Sequence, residues 1–154
     1  EAIELHHTVV RSQIAKYKGY EVKTIGDAFM VAFIDPENAM DFALAVQLAL
    51  YNADWGTDAV DKIYREGLLE KHPDDHPKYV QRDEYDELWY GIRVRIGVHF
   101  GLGDIKFDPV SLGYDYYGTV VNTAARVEAV GHGGQICCTQ SFVDEYGGIE
   151  KLAA

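Results

Sequence analysis

Five polar side chains in two short stretches have the types and spacing that chemistry on a base, a sugar and a phosphate requires. Lys23 and Asp27 bracket Lys23-Thr-Ile-Gly-Asp27, and Asp115, Asn122 and Arg126 fall within Gly113-Tyr-Asp-Tyr-Tyr-Gly-Thr-Val-Val-Asn-Thr-Ala-Ala-Arg126. Asp27 follows a glycine between two apolar runs, so it reads either as hairpin punctuation or as a carboxylate presented to a hard cation. Lys23 reads either as a solvated strand lysine or as a donor to an acceptor atom of a base. Asp115 sits among tyrosines and glycines, as a turn aspartate or as an acceptor for an exocyclic amino group between apolar walls. Asn122 and Arg126 are four residues apart and share one helical face. That face is either the solvated side of an amphipathic helix or an amide for a sugar oxygen beside a planar cation for phosphoryl charge.

The elements that must position these residues follow from periodicity. Residues 1–18 place Ile3, Leu5, Val9, Val10, Ile14 and Tyr17 near a 3.6-residue repeat, and Gly19 is the expected stop. Residues 20–25 and 28–34 read as strands around a Gly26-Asp27 hairpin turn, with Glu21, Lys23 and Ile25 on one face. Asp35-Pro36 opens a helix running to about Tyr51. Residues 52–90 change character: 11 acidic and 5 basic residues, two prolines and few periodic apolar positions predict an acidic surface insertion outside the core. Residues 91–100 alternate as a strand, and a Gly-rich loop follows. A helix is expected over about 119–130, with Val120, Ala124 and Val127 inward. A short strand over 135–139 and a last helix capped by Ser141 complete the chain. The order predicts an α/β (α+β) sandwich in which helices pack on a ferredoxin-like, mainly antiparallel sheet.

Composition sets the outer bounds. A chain of 154 residues fits one domain spanning 1–154, and its net charge of −11 argues against nucleic-acid partners and anionic membranes. Cys137 and Cys138 are adjacent, which suits neither a structural disulfide nor a metal site and favours a reducing compartment. The apolar run 39–50 is too short to span a bilayer, so a soluble piece without direct membrane contact is expected. Gly101-Leu-Gly103 lacks the third glycine of a dinucleotide loop, and neither His6-His7 nor His99 has metal-ligand spacing.

Three motifs in order, Glu21-Val-Lys-Thr-Ile-Gly-Asp-Ala-Phe29, Arg93-Val-Arg-Ile-Gly-Val-His-Phe-Gly101, and Tyr114-Asp-Tyr-Tyr-Gly118 with Val121-Asn-Thr-Ala-Ala-Arg126, resemble the catalytic domain of class III nucleotidyl cyclases over about residues 1–146. Asp54-Trp-Gly-Thr57 and Leu88-Trp-Tyr-Gly91 are most similar to receptor-type adenylate cyclases of trypanosomatids. The resemblance implies that Asp27 is one of two metal-binding aspartates for two Mg²⁺ or Mn²⁺ ions. It also implies that Lys23 and Asp115 read adenine, Asn122 orients the ribose and Arg126 stabilises the pentavalent transition state. The implied reaction is attack of the ATP 3′-hydroxyl on the α-phosphorus, giving cyclic AMP and pyrophosphate. One metal would lower the hydroxyl pKa while both clamp phosphate oxygens.

In the family the site lies between two domains, so a homodimer with two equivalent sites is implied, on the cytoplasmic side of a membrane. The family's first metal aspartate lies on a central strand before the first helix, and a phosphate-binding lysine lies on a late strand. Neither falls within 1–154, so the chain is expected to be an internal piece that cyclises ATP poorly alone. The other readings are a non-catalytic cyclase-homology partner, against which the five retained residues speak, and a guanylate cyclase, with which Lys23 and Asp115 disagree.

Overall fold

The computed structural model describes residues 1–75, 88 and 90–153. Helix α1 (Ala2–Lys16) buries Val10 and Ile14, while Ile3 of the expected stripe lies exposed. The helix is closed by Lys18 in the left-handed region (φ +59°), one residue before the expected glycine stop. Strands β1 (Tyr20–Ile25) and β2 (Ala28–Ala32) form the expected antiparallel hairpin, with Gly26 at φ +63° in the two-residue turn. A left-handed glycine at the first loop position matches strand twist.

One expectation about this hairpin fails. The register slips between Glu21 and Lys23, and the bulge breaks the alternation that would place them on one face. Glu21 instead receives Arg11 of α1 in a two-pronged contact at 3.0 and 2.9 Å, and Lys23 reaches away toward residue 115.

Helix α2 (Pro36–Tyr51) begins as its sequence dictates, with Asp35 capping the Glu37 amide at 2.8 Å and proline in the first turn. It is the centre of the core. Phe42, Val46 and Leu50 pack with Val10 and Ile14, and Ala39 and Met40 pack with Phe142. The stretch after α2 contributes more to this core than its acidic composition suggests. Trp55 is buried in the first cluster and donates its indole N–H to the Leu50 carbonyl at 2.9 Å. Helix α3 (Ala59–Lys71) presents a buried Asp61, whose two carboxylate oxygens each accept from the Gly91 amide at 3.2 Å. The rest of the expected insertion, residues 76–87 and 89, lies outside the described residues.

Strand β3 (Ile96–Val98) is far shorter than the strand expected over 91–100. Its parallel partner β6 (Ile136–Cys138) is only three residues long, and the Val94 carbonyl is taken by Gly134 N and Gln47 Nε2 instead. The expected Gly-rich loop contains a second hairpin, β4 (Asp104–Asp108) with β5 (Gly113–Tyr117). Its turn is set by Asp108, whose side chain accepts from Val110 N at 2.9 Å and Ser111 Oγ at 2.8 Å.

Helix α4 (Thr119–Val130) turns Val120, Ala124 and Val127 inward, half-buried. Helix α5 (Gln140–Tyr146) is capped by Thr139 and not by Ser141, whose hydroxyl donates to the Phe100 carbonyl at 2.9 Å. A short α6 (Ile149–Leu152), absent from the expected elements, is joined to α2 through Lys151 and Glu37.

The architecture is α+β. Among the described residues there are three strand pairs, two of them antiparallel, and they form separate two-stranded ladders, β1–β2, β3–β6 and β4–β5. Among the described residues no helix is long and apolar enough to cross a membrane.

The Trp55–Gly91 contact yields a stability test. Gly91 sits at φ +71°, and a Cβ there would lie 1.9 Å from Trp55 Nε1. Gly91→Ala is expected to cost about 2–4 kcal/mol from strain and overpacking. Gly67→Ala, in the middle of α3 with nothing within 4 Å, should gain about 0.5–1 kcal/mol. Urea unfolding midpoints of the two variants measure both.

Candidate functional site

The two hairpins meet at the residues singled out by their chemistry. Lys23 Nζ on β1 lies 2.8 Å from Asp115 Oδ1 on β5. The Tyr114 amide, next to Asp115, donates to the Tyr20 hydroxyl at 2.7 Å, and the Tyr20 and Tyr116 rings are 6.2 Å apart. Asp115 is therefore a mid-strand residue and not a turn aspartate. The turn lies seven residues earlier, at the Asp108-Pro109 signal that the composition of the Gly-rich stretch obscured.

Asp115 is well supplied with donors. Besides Lys23, its carboxylate accepts from the Tyr116 amide at 2.8 Å. Lys23 first, then Tyr117 and the amide, hold its carboxyl below the ordinary aspartate range. The same contact pushes the Tyr117 phenol above its ordinary value. An ionised carboxylate offers about four lone-pair sites, so Lys23 and the Tyr116 amide leave room for a further donor, while Lys23 keeps N–H donors to spare. An acceptor and a donor thus stand side by side, half-exposed. That is the pattern complementary to an amino group adjacent to a ring nitrogen.

Asn122 and Arg126 lie exposed on one face of α4, as their spacing requires, and neither has a side-chain partner among the described residues. The helix follows Gly118 directly after β5, so both are carried on the same short segment as Asp115. Asp27 is on the far end of the β1–β2 hairpin, exposed at its turn. The turn is backed by α1: His7 Nε2 is 3.1 Å from the Gly26 carbonyl, and its ring meets Phe29 edge-on at 5.1 Å. No cluster of three acidic, histidine or cysteine residues exists among the described residues.

Beside the hairpins a cavity of about 420 Å³ opens between β2 and β3, walled by Phe29, Val31, Phe33, Ile96, Val98 and Phe142. Among the described residues β2 pairs only with β1 and β3 only with β6, so neither strand has a ladder partner across this groove.

Residues 1–146 match the model of the adenylate and guanylate cyclase catalytic domain. The chain belongs to this cyclase family. It is 47% identical over 163 residues to receptor-type adenylate cyclase B of Leishmania donovani, covering 99% of this chain and 12% of that protein. It is 47% identical over 146 residues to receptor-type adenylate cyclase GRESAG 4.2 of Trypanosoma brucei brucei, covering 90% of this chain and 25% of the relative. Among solved structures, an adenylate cyclase of Trypanosoma brucei in its monomeric state superposes with a TM-score of 0.91 at 40% identity, over 99% of this chain and 68% of that one. A monomeric guanylyl cyclase domain from Blastocladiella emersonii, at 19% identity, 94% and 67% coverage and a TM-score of 0.64, shares the fold. The cyclase domain described here thus spans between an eighth and a quarter of the length of these curated relatives.

Residues missed by pattern reasoning are Tyr20 and Lys106. The signal for Lys106 was available in the alternation of 104–108 against 113–117 once the Asp-Pro turn is recognised, since that register places it opposite Asp115.

The ion pair makes a pH prediction. A carboxyl held low in the folded state stabilises above its unfolded pKa, and the contribution is lost as pH falls through the lowered folded value. In Lys23→Met, the Asp115 carboxyl followed by NMR should titrate higher than in the parent, whereas Lys23→Arg should keep it low. The stability difference between parent and Lys23→Met should be present at neutral pH and shrink as Asp115 protonates.

Proposed function

We propose that this chain is the core of an adenylate cyclase catalytic domain that converts ATP to 3′,5′-cyclic AMP and pyrophosphate. The observation that carries this reading is the Lys23–Asp115 pair, a donor and an acceptor already side by side and partly open to solvent. Adenine offers a ring-nitrogen acceptor beside an amino donor, and guanine reverses that order on the same edge. The pair therefore favours ATP over GTP. Because the two hairpins already bring Lys23 and Asp115 together, only side-chain rotation is needed when the base arrives.

Asn122 and Arg126, free and exposed on α4, are assigned to the ribose and to the charge developing on the α-phosphoryl group. A fixed guanidinium matches phosphoryl oxygens through its planar fork of donors. Asp27 is assigned to Mg²⁺ or Mn²⁺. It is a single exposed carboxylate on a rigid turn, which fits one half of a magnesium site completed by substrate phosphates and a second carboxylate. A divalent ion bound there would supply charge neutralisation to the phosphates and make the 3′-hydroxyl easier to deprotonate.

The groove between β2 and β3 supports the placement of that second carboxylate. Two facing strand edges without partners, across an apolar channel, are what an intervening strand would complete. Asp27 and Arg126 belong to different ends of the chain's site elements, in keeping with a homodimer in which one subunit supplies the metal and the other the base-reading residues. By likeness to receptor-type relatives, the domain is assigned to the cytoplasmic side of a membrane.

The decisive assay uses a catalytic region of the length seen in the solved relatives, offered ATP and GTP in manganese. ATP should be preferred. Arg126→Ala should lower kcat about 10²–10³-fold with little change in KM, the signature of a group acting in the transition state. Asp115→Asn should erode the ATP preference. Preference for GTP would overturn the base assignment, and turnover of neither nucleotide would favour a regulatory cyclase-homology domain.

A further inference from the structure

Lys106 has no role in the reading above, yet its ammonium and that of Lys23 lie over the same Tyr117 ring. It is the register partner of Asp115 on the β4–β5 hairpin, and directly opposed residues of an antiparallel pair project from the same face. Its ammonium does not sit on Asp115. It lies 5.6 Å from the centre of the Tyr117 ring, while the Lys23 ammonium lies 5.7 Å from the same ring and holds Asp115 at 2.8 Å. Asp115 raises the Tyr117 phenol above its ordinary value. Two lysines therefore share one aromatic ring, and only Lys23 is in contact with the carboxylate.

This has a consequence for base recognition. Lys23 cannot turn its ammonium fully to a ring nitrogen without weakening its hold on Asp115. A carboxylate left without a nearby cation, beside a base that excludes water, loses ionised character and direction as an acceptor. Lys106 is placed to replace Lys23, since a cross-strand move from the Tyr117 ring to Asp115 needs only side-chain rotation. An exposed, unpaired lysine has the freedom to make it.

We propose that Lys106 is a positioning residue of the base site: it becomes the cation of Asp115 when Lys23 engages the purine ring, and so supports selection of a 6-amino purine nucleotide. The inference rests on the base-reading role assigned above to Lys23 and Asp115. It adds a residue on a third strand, outside the motifs of the catalytic helix and the first hairpin.

The test compares binding of ATP with that of purine riboside triphosphate, which keeps the ring nitrogens and phosphates but lacks the 6-amino group. Lys106→Met should weaken ATP binding about threefold to fivefold, the range of a cross-strand ion pair, and leave the 6-unsubstituted nucleotide unchanged. Lys106→Arg should restore the ATP preference. Equal weakening of both nucleotides would mean that Lys106 only attracts phosphate, and no weakening of either would mean that it is a bystander; each overturns the proposal. Asp115→Asn separates the two levels of the argument. If it leaves the preference for ATP intact, the base-reading assignment itself fails. If it abolishes the preference while Lys106→Met does not, only the role of Lys106 is lost.

Discussion

The ion pair between Lys23 and Asp115 joins two hairpins that share no ladder, and the arrangement of the site depends on it. β1–β2 and β4–β5 are each two-stranded, and such ribbons are marginal unless packed against something else. Their mutual contact is polar and aromatic: the Lys23–Asp115 pair, the Tyr114 amide on the Tyr20 hydroxyl, and the Tyr20–Tyr116 rings. The groups that would read a base are thus the same groups that fix one hairpin against the other. Under the proposed base-reading role, ligand recognition and local architecture would be coupled, because a base at the pair would touch the joint between the hairpins.

The bulge at Glu21–Lys23 makes that joint possible. In an unbroken strand the two side chains would project from one face and compete for one neighbour. With the register shifted, Glu21 serves α1 through Arg11, and Lys23 serves the second hairpin. A single strand thereby fastens a helix with one charge and the second hairpin with another. The Arg11 guanidinium also holds the Glu21 carboxyl below its ordinary range, which keeps that side of the strand charged and occupied.

Much of this was legible in the residues. The helix over 36–51 announces itself through Asp35-Pro36, and the first hairpin through Gly26-Asp27, because capping and turn chemistry are local. The common face of Asn122 and Arg126 follows from helical period alone. What could not be read was set by distant partners. The bulge moved Lys23 off its expected face. The three-residue length of β6 shortened β3, and Trp55 drew part of an acidic stretch into the core. The second hairpin was hidden for a different reason: glycines on either side suggested a loop, and the Asp108-Pro109 turn inside it carried less weight than it should. The chemistry of Asp115 is legible from its residue type, whereas its place in the middle of β5 is set by the pairing with β4.

Trp55, Asp61 and Gly91 bring the two ends of the stretch after α2 to one place against the Leu50 end of that helix. The entropy of closing the chain between them is set at that clasp, and it grows only slowly with length, by about 0.6 kcal/mol for each doubling. By that measure the closure itself depends little on how many residues separate Asp61 from Gly91, and the clasp rather than the intervening length sets its cost.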